Sequence, residues 1–142
     1  MYDENGSVKQ CSVLVVNCSE RETAHSQSLQ RRGFRVVETA GWPPDAVVLE
    51  YEVVIIVLRQ MDIVSVLAAR MRAKPKFGHR VLIGVTANVP SAAERRHAIM
   101  SGFDDIVGES RDSRVLIARV LRCLRARPEH HCVLPDPKRP AA

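Results

Sequence analysis

Aromatic residues are scarce in this chain: Phe, Trp and Tyr make up 4% of it, with a single tryptophan. Basic residues without interleaved aromatics form no stacking platform for single-stranded nucleic acid. Long apolar runs are also missing. A run such as Val53 to Leu58 is far short of the about 20 residues that span a bilayer. The first ten residues include Asp3 and Glu4 and no apolar stretch, which argues against a secretory signal. A soluble cytoplasmic chain with no membrane contact is therefore expected. The cysteines (Cys11, Cys18, Cys123, Cys132) are few and irregularly spaced, so reduced thiols are expected in place of a disulfide framework.

Chemical signatures are missing too. There is no G-x-G-x-x-G, no P-loop, no G-x-S-x-G, and no Ser/His/Asp set marked by its local context. An enzyme is not expected, nor is a cofactor or a metal site. Glu129-His130-His131-Cys132, with Cys123 upstream, offers metal-capable atoms, but adjacent histidines lack paired ligand spacing and read as a solvated tail. His25, His79 and His97 stand beside Ser or Arg and read as surface residues.

What is present is a core. The 142 residues are 46% hydrophobic with a formal charge of +5, enough for one domain and too few for two. The reading divides them into a polar tail over 1–10, a domain over 11–127 and a proline-rich basic tail over 128–142. Short Val/Ile-rich runs at Val13–Val16, Arg35–Val37, Val53–Leu58, Val81–Val85 and Ile106–Val107 alternate with helix-like stretches. Such continuous runs predict strands buried on both faces of a parallel sheet.

The first predicted helix has an S-x-x-E capping box at Ser19 and Glu22 and a stop at Gly33. The second is squeezed between Gly41-Trp42-Pro43-Pro44 and the third strand, leaving roughly two turns at 3.6 residues each, so it is expected to be short or irregular. A third gathers Ile63, Val64, Leu67 and Met71 on one face and ends at Pro75, with Asp62 as its cap. The fourth has a capping box at Ser91 and Glu94, apolar positions at Ala98 and Ile99, and a close at Gly102. The fifth turns Leu116, Ile117, Val120, Leu121 and Leu124 inward and ends before Pro128. The pattern is α/β: a doubly wound, five-stranded parallel sheet with helices on both faces, its site at the carboxyl ends of the strands.

Two segments carry a resemblance. Val81-Leu82-Ile83-Gly84-Val85-Thr86-Ala87, then a helix, then Ser101-Gly102-Phe103-Asp104-Asp105-Ile106-Val107, resemble the fourth strand, fourth helix and fifth strand of response regulator receiver domains. The resemblance extends over roughly Cys11 to Arg127 and implies the flavodoxin-like receiver fold. That family uses a carboxylate pair after strand one for Mg²⁺, an aspartate ending strand three as phosphoacceptor, a hydroxyl after strand four and a lysine after strand five. Carried across, these positions fall on Asn17 and Cys18, on Val57, on Thr86 and on Glu109, and only Thr86 matches. The switch aromatic of strand five falls on Ile106. Val57 has no nucleophilic atom, an amide with a thiol suits a hard cation poorly, and Glu109 reverses the counter-charge. A different register, with Pro44–Glu50 as the third strand, would put Glu50 at the acceptor position. Asp104 and Asp105 read as residues shaping the turn into strand five.

The resemblance implies a degenerate pseudo-receiver that works in two-component signalling by binding a protein partner independently of phosphorylation. The surface receivers commonly use, from the fourth helix through the fifth strand to the fifth helix, carries Arg95, Arg96, Arg114, Arg122 and Arg125 here. These suit an acidic partner or a homodimer contact. The alternative is a basic nucleic-acid-binding or transcription-associated module using Arg70, Arg72, Lys74, Arg122 and Arg125. It lacks a recognisable nucleic-acid motif, so nucleic acid is not the expected partner.

Overall fold

A computed structural model describes residues 10–19, 21–58, 77, 80–110 and 113–127. The predicted helix over 63–71, with Asp62, Arg70, Arg72 and Lys74, lies outside the described residues, as do His79, residues 1–9 and the tail over 128–142 with its His130-His131-Cys132 cluster.

Five parallel strands form one sheet: β1 (Ser12–Asn17), β2 (Arg35–Thr39), β3 (Val53–Val57), β4 (Val81–Thr86) and β5 (Asp105–Gly108), in the order β2-β1-β3-β4-β5. Every residue of β3 is buried, as expected of a β-branched run in the middle of a doubly covered sheet. The helices are α1 (His25–Arg31), α2 (Asp45–Val48), α3 (Ala92–Met100) and α4 (Arg114–Arg125). The last two correspond to the fourth and fifth helices of the sequence reading.

Alternate strand residues supply two cores. Val13, Val15, Val53, Ile55, Val57, Ile83 and Val85 pack with Leu29 of α1 and with Leu116, Ile117, Val120, Leu121 and Leu124 of α4. Leu14, Val16, Val54, Ile56, Leu82 and Ile106 pack with Val48 of α2, Ala98 of α3, Phe77 and Phe103. Burying a Val, Leu or Ile side chain contributes about 1.5–3 kcal/mol, so these layers dominate the stability.

Helix ends follow local chemistry. Ser91 and Glu94 form the expected capping box on α3. Gly33 and Gly102 carry φ of 100° and 117°, left-handed values that favour glycine just past a helix. The capping box expected at Ser19 and Glu22 is absent. α1 starts later, with Ala24 at its N-cap and no side-chain cap, because the Ser19 hydroxyl is bound to Asn17 instead. α2 is a single turn after Pro44, as short as expected. Its helical residues exclude the register that made Pro44–Glu50 a strand. Glu50 lies exposed in the turn after α2, and Val57 ends β3.

Candidate functional site

The sheet register sets Asn17 beside Val57 and Val57 beside Val85, with Thr86 beside Gly108. Backbone bonds continue the pairing past the strand ends: Cys18 N–H to Val57 C=O at 2.8 Å, and Glu109 N–H to Thr86 C=O at 2.7 Å. Asn17, Cys18, Val57, Thr86 and Glu109 therefore gather at one end of the sheet. Ile106 lies apart from them, buried under α3 with Leu82 and Phe103.

The side chains of Asn17 and Thr86 have hydrogen-bond partners within the chain. The Asn17 carbonyl oxygen accepts from Ser19 N–H at 3.0 Å and from the Ser19 hydroxyl at 2.6 Å, while its amide donates to Arg21 C=O at 2.7 Å. Ser19 in turn accepts from Arg21 N–H at 3.3 Å. A carboxylate at position 17 could not make the donation, so the β1–α1 loop is built around an amide. The Thr86 hydroxyl donates to Asn88 C=O at 2.7 Å. Cys18 is half-buried, and burial pushes its thiol above the ordinary value, opposite to what activates a cysteine.

Glu109 faces two bases. Arg21 lies 3.7 Å from one carboxylate oxygen and the His25 Nε2 lies 3.6 Å from the other. A cleft of about 520 Å³ opens between Arg21, Thr23, Ala87 and Glu109, and a second of about 610 Å³ lies between Asn17, Cys18, Arg21, Glu38 and Thr39. Among the described residues, no group of three His, Cys, Asp or Glu side chains converges to hold a metal.

His25 is not the surface residue expected. It is 1% exposed, and its Nδ1 lies 2.5 Å from the hydroxyl of Ser113, the fully buried N-cap residue of α4. Burial lowers its basicity below the ordinary imidazole value, and Glu109 and Glu38 pull it part of the way back. Sequence reasoning missed His25 because its partner is 88 residues away. The one local signal is its place on the inward face of α1, four residues before the buried Leu29.

At the β5 edge, the arginines are less free than sequence suggested. Asp105 is 1% exposed and faces Arg122 at 3.0 Å, Arg119 at 3.1 Å and Arg95 at 3.6 Å. Asp104 accepts from Leu82 N–H at 2.7 Å and pairs with Arg127. Arg119 was missed because only the fold reveals that it shares the carboxylate. Three guanidinium groups on one carboxylate leave a positive surplus, and the Arg122 side chain remains 64% exposed. Arg96, Arg114 and Arg125 are exposed. Ile99, four residues from Arg95 on the same side of α3, is 51% exposed, as is Val115 on α4.

No helix among the described residues is long and apolar enough to cross a membrane. No protein-family model matches the chain, and no curated protein matches it. Solved structures do. A response regulator from Thermotoga maritima is 18% identical with a TM-score of 0.69, covering 82% of this chain and 99% of that one. An orphan response regulator of H. pylori is 21% identical, TM-score 0.62, covering 83% and 99%. An atypical orphan response regulator, described as revealing a phosphorylation-independent regulatory mechanism, is 23% identical, TM-score 0.62, covering 80% and 95%. The likeness establishes a fold, and it is the fold of response regulator receiver domains.

Proposed function

We propose that this chain is a non-enzymatic pseudo-receiver that acts in signal transduction by binding a protein partner, without being switched by phosphate. One observation carries the reading: the side chain where the family keeps a metal-binding acid is Asn17, whose amide oxygen accepts twice from Ser19 and whose amide nitrogen donates to Arg21 C=O, all within the β1–α1 loop. Val57 offers no nucleophile next to it. Glu109, where the family keeps a lysine, would repel a phosphoryl group at short range. Arg21 on the β1–α1 loop and Glu109 after β5 invert the family's polarity, acid on the first loop and base on the last, so the two loops attract each other with no metal or phosphate between them.

The binding surface in this reading is α3, β5 and α4. It combines surplus positive charge at Arg95, Arg119 and Arg122 with exposed Ile99 and Val115, a mixture that suits an acidic partner with an apolar anchor or a second copy of the chain. Cytoplasmic signalling is the setting that this reading implies.

The test has two arms. Acetyl phosphate or beryllofluoride with Mg²⁺ should leave the intact mass and the NMR spectrum unchanged, and stoichiometric modification or saturable Mg²⁺ shifts at Asn17 and Cys18 would overturn the reading. Arg96→Glu with Arg125→Glu should abolish partner capture or self-association while the circular dichroism spectrum is retained. Both positions are exposed, so the Asp105 cluster stays intact. Binding to an arbitrary duplex that weakens steeply with salt would favour the nucleic-acid alternative instead.

A further inference from the structure

We propose that His25 and Glu109 form a proton-operated contact between α1 and the segment leading into α4. With His25 neutral, Glu109 is shared with Arg21; with His25 charged, the carboxylate closes onto the imidazolium. This goes beyond the phosphate-independent reading and does not rest on it.

The geometry begins with a buried ring that has one partner too few. His25 is almost fully buried, its Nδ1 is held by Ser113, and its Nε2 has no hydrogen-bond partner. An unpaired buried nitrogen is costly, and the ring cannot turn away without giving up Ser113. Ser113 is itself fully buried and carries φ of 57°, so its position is set by the surrounding fold. When the Ser113 hydroxyl donates to Nδ1, the ring proton sits on Nε2 and points toward Glu109. When a second proton arrives on Nδ1, the hydroxyl can rotate and accept it. The site therefore accommodates both protonation states without moving the ring.

Glu109 is placed to respond. Its two oxygens lie 3.7 Å from Arg21 and 3.6 Å from His25, both longer than a hydrogen bond, so a shift of well under an ångström decides which base it engages. Among the described residues, the charged groups acting on the imidazole are Glu109 from the segment after β5 and Glu38 from β2, with Arg21 of the β1–α1 loop set against Glu109. Glu38 is held toward α1 by the Ser26 hydroxyl at 2.6 Å. Two acids against one base favour the proton, while burial opposes it. A charged His25 would draw Glu109 off Arg21 and loosen the tie across the cleft. Because Ser113 is the N-cap of α4, the change is felt at the helix that carries Arg119 and Arg122.

The experiment follows the histidine rings of the full chain by NMR from neutral to acid pH, with His25→Gln identifying the resonance. Three results are expected. His25 titrates below the ordinary imidazole range and holds its proton on Nε2 at neutral pH. Glu109→Gln, which removes an attracting charge, moves the midpoint down by about one pH unit. Arg21→Gln, which frees the carboxylate, moves it up. A midpoint near 6.5 that neither variant shifts would overturn the proposal. If His25→Gln fails to fold, these two exposed or half-buried variants still decide it, because only the His25 resonance would respond to both with opposite sign.

Discussion

The carboxyl end of the sheet and the β5 edge contain similar chemistry arranged to opposite effect. At the strand ends, Asn17, Ser19, Thr86 and Glu109 are bound within the chain, and the polar groups roughly balance one another. At the β5 edge, one buried carboxylate faces three guanidinium groups, and apolar side chains stand exposed next to them. The strand-end groups satisfy one another except at His25 Nε2 and Thr23 Oγ1, whereas the β5 edge keeps surplus charge beside exposed apolar surface. The comparison teaches that the strand ends form a structural joint within the chain, while unbalanced charge and exposed apolar surface lie on the neighbouring face.

The sharpest way to break this contrast is at Asp105. Asp105→Ala would remove the buried acceptor of Arg119, Arg122 and Ile106 N–H and is expected to cost about 3 kcal/mol in urea denaturation, since charge-assisted bonds are lost together. A loss below about 1 kcal/mol, the range of exposed pairs, would make the cluster a surface feature. Next comes the loop: Asn17→Ala removes both an acceptor and a donor and should cost about 2 kcal/mol. Asn17→Asp keeps the acceptor and loses the donation to Arg21 C=O, so about 1 kcal/mol is expected. If Asn17→Asp proved stabilising, or created a Mg²⁺ site by NMR titration, the joint would be a latent receiver pocket.

Thr86→Ala should cost about 1 kcal/mol through its bond to Asn88 and leave self-association or partner binding unchanged. Lost binding at unchanged stability would show a surviving ligand-driven switch. The mildest effect is a slope. The folded-state pKa of His25 lies below its unfolded value, so the unfolded chain takes up the proton first as pH falls. The His25 contribution to stability is thus flat above about 6.5 and declines below it until the folded-state pKa is reached. His25→Gln should flatten that part of a urea-midpoint profile, and an unchanged profile would locate the acid sensitivity elsewhere.

How far the sequence could be read depended on the range of the interactions. The β-branched runs announced all five strands; burial on both faces leaves that pattern in β1, β3, β4 and β5, whereas β2, at the sheet edge, has no buried residue and departs from the doubly buried strand expected. The inward stripe of α4 and the Ser91–Glu94 cap on α3 were legible for the same reason. The Ser19–Glu22 pair has the right spacing for a cap, yet a side chain one strand-end away, Asn17, competes for the serine hydroxyl and wins. At the site, the residue types at Asn17, Val57 and Glu109 could be aligned by resemblance. Their partners could not, since His25 meets Ser113 and Arg119 meets Asp105 only once α1, β5 and α4 have docked.

The strand order also carries a kinetic consequence. β2 and β3 both pair with β1, β4 pairs with β3, and β5 with β4, so each strand, as it leaves the ribosome, finds its neighbour already made. The sheet can therefore grow by accretion without waiting for a distant strand to open a gap. Until the next strand arrives, however, each growing edge exposes a row of unpaired amides, and β3 is itself the uncharged β-branched run Val53-Val54-Ile55-Ile56-Val57. A delay between β3 and β4 would prolong that exposure, and the completed fold ends it with two short edges, β2 carrying Arg35 and Glu38 and β5 beginning at Asp105.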